Sequence, residues 1–428
     1  MLEVSLVLLL LSVSAGILIG MIAGLLPGVH VNNTSAILLG LSPALLAAGV
    51  EPLYVAITIV SSTISQSFLD IIPAVFLGAP DESTVLAVMP GHKMLLDGLG
   101  QEAVRLSAMG SGMAIVLSLL LILPLSAFFG TALPIMQANM AAILIGISAF
   151  VILSNYSGGR YATAGSRIKK VCEALVIYLA AGILGVVAFQ AESHLSPILA
   201  IGVASALLPL LSGLFGMPSL LLSLNTHAVI PGQRQSRITM PGKTLLRASA
   251  SGTVAGALVS WFPAVSSGVA TSLVSMFSAK DGDSDRKYLI SVSGVNTSNA
   301  IFSLVALYVI LRPRSGAVAA AQEVLGGAIG YEAFVLFLFA ICIAGVVAYL
   351  ITLAAGSCAA SIFTALNYQA LNWGVIAFLT VMCLAMAGIP GLTIFLISTA
   401  IGLAAHLLNV RKTCLMGVLL VPCILYFL

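Results

Sequence analysis

Residues 16–35 read GILIGMIAGLLPGVHVNNTS, and residues 252–271 read GTVAGALVSWFPAVSSGVAT. Both fit G-x3-G-x6-P-x-V: Gly16, Gly20, Pro27 and Val29 recur as Gly252, Gly256, Pro263 and Val265, at an offset of 236 residues (252 − 16). Each stretch describes an apolar helix stopped by a proline and followed by hydroxyl and amide side chains. Proline removes a backbone donor and clashes with the preceding turn, so it ends or kinks a helix. In hydrocarbon the freed backbone groups find no water, so such a break faces protein or a wet cavity. Corresponding breaks in two halves of a chain point to the binding site of a secondary transporter.

The surrounding composition requires a membrane. The 428 residues include 17 Lys or Arg and 14 Asp or Glu, so 7% are charged, against about 25% in a soluble domain. With 60% apolar residues and a mean hydropathy of +1.16, the chain cannot build a water-soluble surface. Apolar runs fall near residues 4–26, 52–78, 105–130, 131–154, 171–190 and 196–224, then 246–278, 288–311, 332–356, 372–390, 392–409 and 413–428. The expected fold is an all-α polytopic membrane protein with 10 to 12 crossings, two structural repeats, and broken or re-entrant helices near Pro27 and Pro263. Three units follow: 1–224 as the first repeat with its following helices, 225–247 as a basic loop, and 248–428 as the second repeat with the C-terminal helices. Nucleic-acid binding is excluded because a net charge of +3 is scattered over short loops. A large soluble catalytic domain has no room between the spans.

Loop charge suggests an orientation. Residues 156–170 carry Arg160, Arg167, Lys169 and Lys170, and residues 225–247 carry Arg234, Arg237, Lys243 and Arg247, both without an acid. Both are expected to be cytoplasmic. The segment 280–287 balances three bases against Asp281, Asp283 and Asp285 and is expected outside.

Candidate binding residues cluster at the breaks. Gly28, His30, Asn32, Asn33, Thr34 and Ser35 precede an apolar run, and a helix starting there aims backbone N–H groups and the positive end of its dipole at the gap. Ser266 and Ser267 follow Pro263, and Asn296, Thr297 and Asn299 lie inside the next span. These groups supply donors for a carboxylate or phosphate, with capping and interhelical bonding as their structural alternatives. Asp70 is the acid placed well inside an apolar span; a carboxylate there escapes its desolvation penalty by binding a cation or a proton. No metal-binding, hydrolase or Walker motif is complete, so neither an enzyme nor a cofactor is expected. The six cysteines read as packing residues.

With GLLPGVHVNNTSAILLGLSP at 24–43 and PGHKMLLDGLGQEAVRLSAMGS at 90–111, the chain resembles the TctA family, the large membrane subunit of tripartite tricarboxylate transporters. GTVAGALVSWFPAVSSG and VSGVNTSNAIFSL resemble that family's second repeat. The resemblance implies a permease of the prokaryotic plasma membrane that moves small carboxylates with ion coupling. It also implies a small membrane subunit and an extracytoplasmic binding protein as partners, and a homo-oligomer is compatible with it. The family's Pro-Gly loop maps to Pro27 and Gly28, its small-residue loop to Gly78 and Pro80, and its Asp-Gly element to Asp97 and Gly98. The usual glycine-rich stretch is replaced by His30, Asn32 and Asn33, and Ala264 stands where the second repeat has Gly. The Pro-Gly-Val loop also resembles polyprenyl-phosphate translocases, for which the ligand is a lipid phosphate.

Overall fold

The computed structural model describes residues 4–26, 29, 31–77, 88–156, 164–198, 206–224, 231–234, 238, 240–261, 267, 270, 271, 274, 284–365 and 368–428. Among them all regular structure is helical. Seven helices are long and apolar enough to cross a membrane, and five shorter apolar helices accompany them. The first half runs α1 (Leu6–Leu25), α2 (Val31–Ala47), α3 (Pro52–Leu69), α4 (Ile71–Phe76), α5 (Val88–Leu96) and α6 (Gly100–Ala138). There follow α7 (Met140–Leu153), α8 (Ala164–Gln190), and α9 (Leu207–Leu211), which passes through a π turn at Ser212–Gly216 into α10 (Met217–Leu224). The second half runs α11 (Gly242–Val259), α12 (Ser284–Ile310), α13 (Gly316–Leu325), α14 (Tyr331–Ala365), α15 (Tyr368–Leu407) and α16 (Gly417–Phe427).

Pro27 and Pro263 lie outside the described residues, but the helices around them stop where the sequence requires: α1 at Leu25, α2 from Val31, α11 at Val259. Other expectations shift. The runs at 105–130 and 131–154 form two helices as expected, but their boundary moves to Asn139: α6 continues through Pro124 and Pro134 to Ala138 and α7 begins at Met140, since a membrane helix tolerates proline where neighbours absorb the freed groups. The runs at 372–390 and 392–409 remain two helical pieces within α15, divided at Gly388, whose φ of 69° and ψ of −164° are not helical. Glycine is required there, because a Cβ would collide with the Ser196 backbone. The helix expected from residue 246 starts at Gly242, with Lys243 and Arg247 exposed on its first turns.

Glycine sets the packing of both halves. A Cβ at Gly16 would fall 2.7 Å from the Ser61 Cβ, and one at Gly20 would fall 2.8 Å from the Ser65 Cβ. Successive glycines therefore meet successive turns of α3, and α1 runs parallel to it. Bonds from Ser5 N to the Tyr54 hydroxyl and from Ser65 Oγ to the Ile17 carbonyl fix the same direction. In the second half Gly252 meets Ser291 and Gly256 meets Val295 and Ser298, and Ser291 Oγ donates to the Ala248 carbonyl. So α11 runs parallel to α12. Small residues let backbones approach closely, which is how membrane helices gain contact without a hydrophobic driving force.

The two parallel pairs oppose each other. Along α3 and α4, Ser67 meets Thr297, Asp70 meets Asn296, and Val75 and Leu289 both flank Gly91. As the first number rises the second falls, so α12 is antiparallel to α3. Both helices are buried nearly all round, so they form the centre of the molecule. One expectation is corrected here for the described part of segment 280–287: residues 284–287 lie on the same side as residue 242, because parallel α11 and α12 begin on the same side. A second hydrophobic core lies among α7, α8, α9, α15 and α16, where Gly182 and Gly185 of α8 admit Val421 and Val418 of α16.

Glycine-to-alanine changes at Gly20 and Gly252 are expected to destabilise the protein by about 1–3 kcal/mol each, the usual cost of overpacking. Gly40, with nothing within 4 Å of its Cβ position, serves as the control. Thermal unfolding in detergent checks this; equal melting temperatures for all three variants would contradict the packing account.

Candidate functional site

Asp70 sits at a break in its helix, between α3 and α4. Pro73 lacks the N–H that would bond to residue 69, so the ladder cannot run through regularly. At this break the carboxylate is 5% exposed, and its Oδ2 accepts a hydrogen bond of 2.8 Å from Asn296 Nδ2. One turn back, Ser67 Oγ and Thr297 Oγ1 lie 3.4 Å apart. Asp70, Asn296 and Thr297 are thus brought together from opposite halves. Asn299 follows Asn296 by three residues, on the same helix face, and is half-buried.

A second polar group forms around the start of α2. Gln66 Nε2 donates to the Val29 carbonyl at 2.7 Å, and Thr34 Oγ1 donates to Gln66 Oε1 at 3.1 Å. Gln66 on α3 therefore holds the start of α2 against the centre of the bundle. Ser35 follows Thr34 and is fully buried with no hydrogen-bond partner for its Oγ. Thr271 shares both properties, and 271 − 35 is again 236. Hydroxyls at this offset are therefore both buried and both unpaired. An unpaired buried hydroxyl is costly, and most native ones have a partner or a reason.

The remaining candidates divide. Asn32 Oδ1 accepts from Gly316 N at 3.1 Å, holding the first residue of α13. Ser267 is buried. Gly28, His30 and Ser266 lie outside the described residues, as does the side chain of Asn33. Two features were not singled out from sequence. Gln66, an amide inside an otherwise apolar and hydroxylated span, was the legible signal for the first. The second is the ion pair between Arg286 Nε and Glu102 Oε1 at 2.6 Å, with the Glu102 side chain 2% exposed; it ties the start of α12 to the start of α6. Beside it Lys93 reaches Asp285 at 2.6 Å, and His92 Nδ1 lies 3.1 Å from the Val75 carbonyl. Burial lowers the His92 pKa, which the Val75 bond offsets in part. Among the described residues no group of three or more His, Cys, Asp or Glu is placed to hold a metal ion.

A model of the tripartite tricarboxylate transporter TctA family matches residues 10–417, nearly the whole chain. The chain belongs to the TctA family. It is also similar to the uncharacterized protein MJ1079 of Methanocaldococcus jannaschii, with 28% identity over 428 residues, covering 98% of this chain and 99% of that protein. No solved structure matches it. This TctA chain is therefore a permease of the tricarboxylate-transporter type and a multi-pass protein of the prokaryotic cell membrane. TctA proteins work in tripartite systems with a small membrane subunit and a binding protein.

A hydrogen bond to a charged group contributes about 1.5–3 kcal/mol, so Asn296→Ala is expected to destabilise the protein by that amount. With Asp70→Asn in place the same change is expected to cost clearly less. A double-mutant cycle by chemical unfolding reads the difference; strictly additive effects would show that the bond between the halves carries no energy.

Proposed function

We propose that the chain is an ion-coupled permease for a small di- or tricarboxylate, held between its two proline-broken segments. The observation that carries this reading is the unpaired pair Ser35 and Thr271, fully buried at equivalent repeat positions. Hydroxyls of this kind can donate to a carboxylate without placing a permanent cation in the membrane. Backbone N–H groups at the start of α2 add to the field that favours an anion. Around them the proposed ligand set is Gly28, His30, Asn32, Asn33, Thr34, Ser266, Ser267, Asn296, Thr297 and Asn299. The Gly316 bond of Asn32 gives that residue a second task, joining the site to α13.

In this reading residues 1–224 and 248–428 are inverted repeats flanking a basic loop. The opposed directions of the two glycine-packed helix pairs support it, since inverted repeats place two broken segments around one ligand near the midplane. Asp70 is the coupling group, taking a proton or a cation at the helix break while Asn296 reports its charge to the other half. The chain transports rather than catalyses, and its partners are the family's small membrane subunit and binding protein.

Uptake of labelled citrate and succinate into sealed vesicles tests the reading. Ser35→Ala and Thr271→Val are each expected to weaken carboxylate binding roughly 10- to 150-fold, the equivalent of one charged hydrogen bond. Neither is expected to lower the melting temperature, because no protein partner is lost. Absence of uptake and of any thermal shift with carboxylates would overturn the proposal. A shift given only by a polyprenyl phosphate would assign a lipid-phosphate translocase instead.

A further inference from the structure

On the outer side of the central bundle, away from the polar breaks, α6, α11 and α14 enclose an open groove of about 390 Å³. Its walls are Met109, Gly112, Met113 and Val116 of α6, Leu246 of α11 and Tyr349 of α14. Three features make it a built groove and not a random dent. Gly112 supplies no side chain, which opens the space in front of the Tyr349 ring. Ser249 Oγ reaches Met113 Sδ at 3.4 Å and closes one side. Gly345 and Gly356 seat Ile115 and Val104, which holds α14 against α6 along its length. Val116 and Leu246 are exposed at the rim, so the groove opens toward the surrounding hydrocarbon.

The charge at one end identifies the occupant. Leu246 lies in the first turns of α11, flanked by Arg247 and, one turn nearer the helix start, by Lys243. Both bases are exposed, and the sequence from 225 to 247 contains no acid. The nearest acid on α6, Glu102, is buried against Arg286 and does not neutralise them. An apolar slot beside two bases that make no ion pair among the described residues matches a hydrocarbon chain joined to a phosphate. Ligand pockets of a few hundred Å³ are large enough to hold such a chain.

We infer that this groove binds one anionic phospholipid, with a chain between α6, α11 and α14 and the phosphate on Lys243 and Arg247. The lipid would touch α6 from the first half and α11 and α14 from the second. It would therefore bridge the halves outside the transport route. The inference is independent of the substrate and holds whether the cargo is a carboxylate or not.

Native mass spectrometry of the full chain, exchanged into micelles with phosphatidylglycerol or with phosphatidylcholine of identical chains, tests it. Phosphatidylglycerol is expected to be retained roughly thirtyfold more strongly, the effect of two basic residues. Lys243→Gln with Arg247→Gln is expected to abolish that preference, whereas Lys169→Gln, on α8, leaves it intact. Gly112→Leu fills the groove without meeting backbone and is expected to displace both lipids. Leu246→Trp at the exposed rim gives the same readout should the first variant fail to fold. Equal retention of the two lipids, or retention unchanged by both filling variants, would overturn the inference, as would a polyprenyl phosphate that displaces equimolar phosphatidylglycerol.

Discussion

Hydrocarbon offers a backbone no hydrogen-bond partner, and that constraint governs this fold. Each helix end inside the membrane has to be enclosed by protein, and each enclosing helix has to come close enough to do it. Glycines at 16, 20, 252 and 256 provide that approach. They bring α1 onto α3 and α11 onto α12 at backbone distance, so the two receiving helices are buried almost all round. Gln66 then shows what the burial is for: its amide satisfies both the Val29 carbonyl and the Thr34 hydroxyl, on either side of the start of α2.

The centre that results is polar in a controlled way. Asp70 is stationed at a helix break made by Pro73, and its contact with Asn296 crosses from one half to the other. A carboxylate in that place is coupled to the relative position of α3 and α12, so a change in its charge state alters an interhelical bond. The same geometry separates two tasks. Satisfied groups such as Gln66 and Thr34 build the scaffold, and the unpaired hydroxyls Ser35 and Thr271 are the groups we propose for a ligand.

Much of the fold was legible because composition and proline act locally. The shortage of charge identified the membrane, and the ends of α1 and α11 fall beside the two prolines. The crossing of α3 and α12 was not legible, since its partners are separated by 226 residues and no periodicity reports such a meeting. Segment 280–287 misled for a physical reason. Its acids were weighed against its bases, although orientation follows Lys and Arg and is nearly indifferent to acids. Asp285 and Arg286 are engaged by Lys93 and Glu102, so their charges pair within the protein. In the candidate site, residue type was readable but satisfaction was not: nothing in the sequence distinguishes paired Thr34 from unpaired Ser35.

The central claim is that one anion is held between the two halves by groups the protein leaves unpaired. A density map of the full-length protein in lipid, recorded with and without saturating citrate, tests it most directly. The account predicts added density within hydrogen-bonding reach of both the Ser35 and Thr271 hydroxyls. Density confined to one half, or lying among α7, α8, α9, α15 and α16, would contradict it.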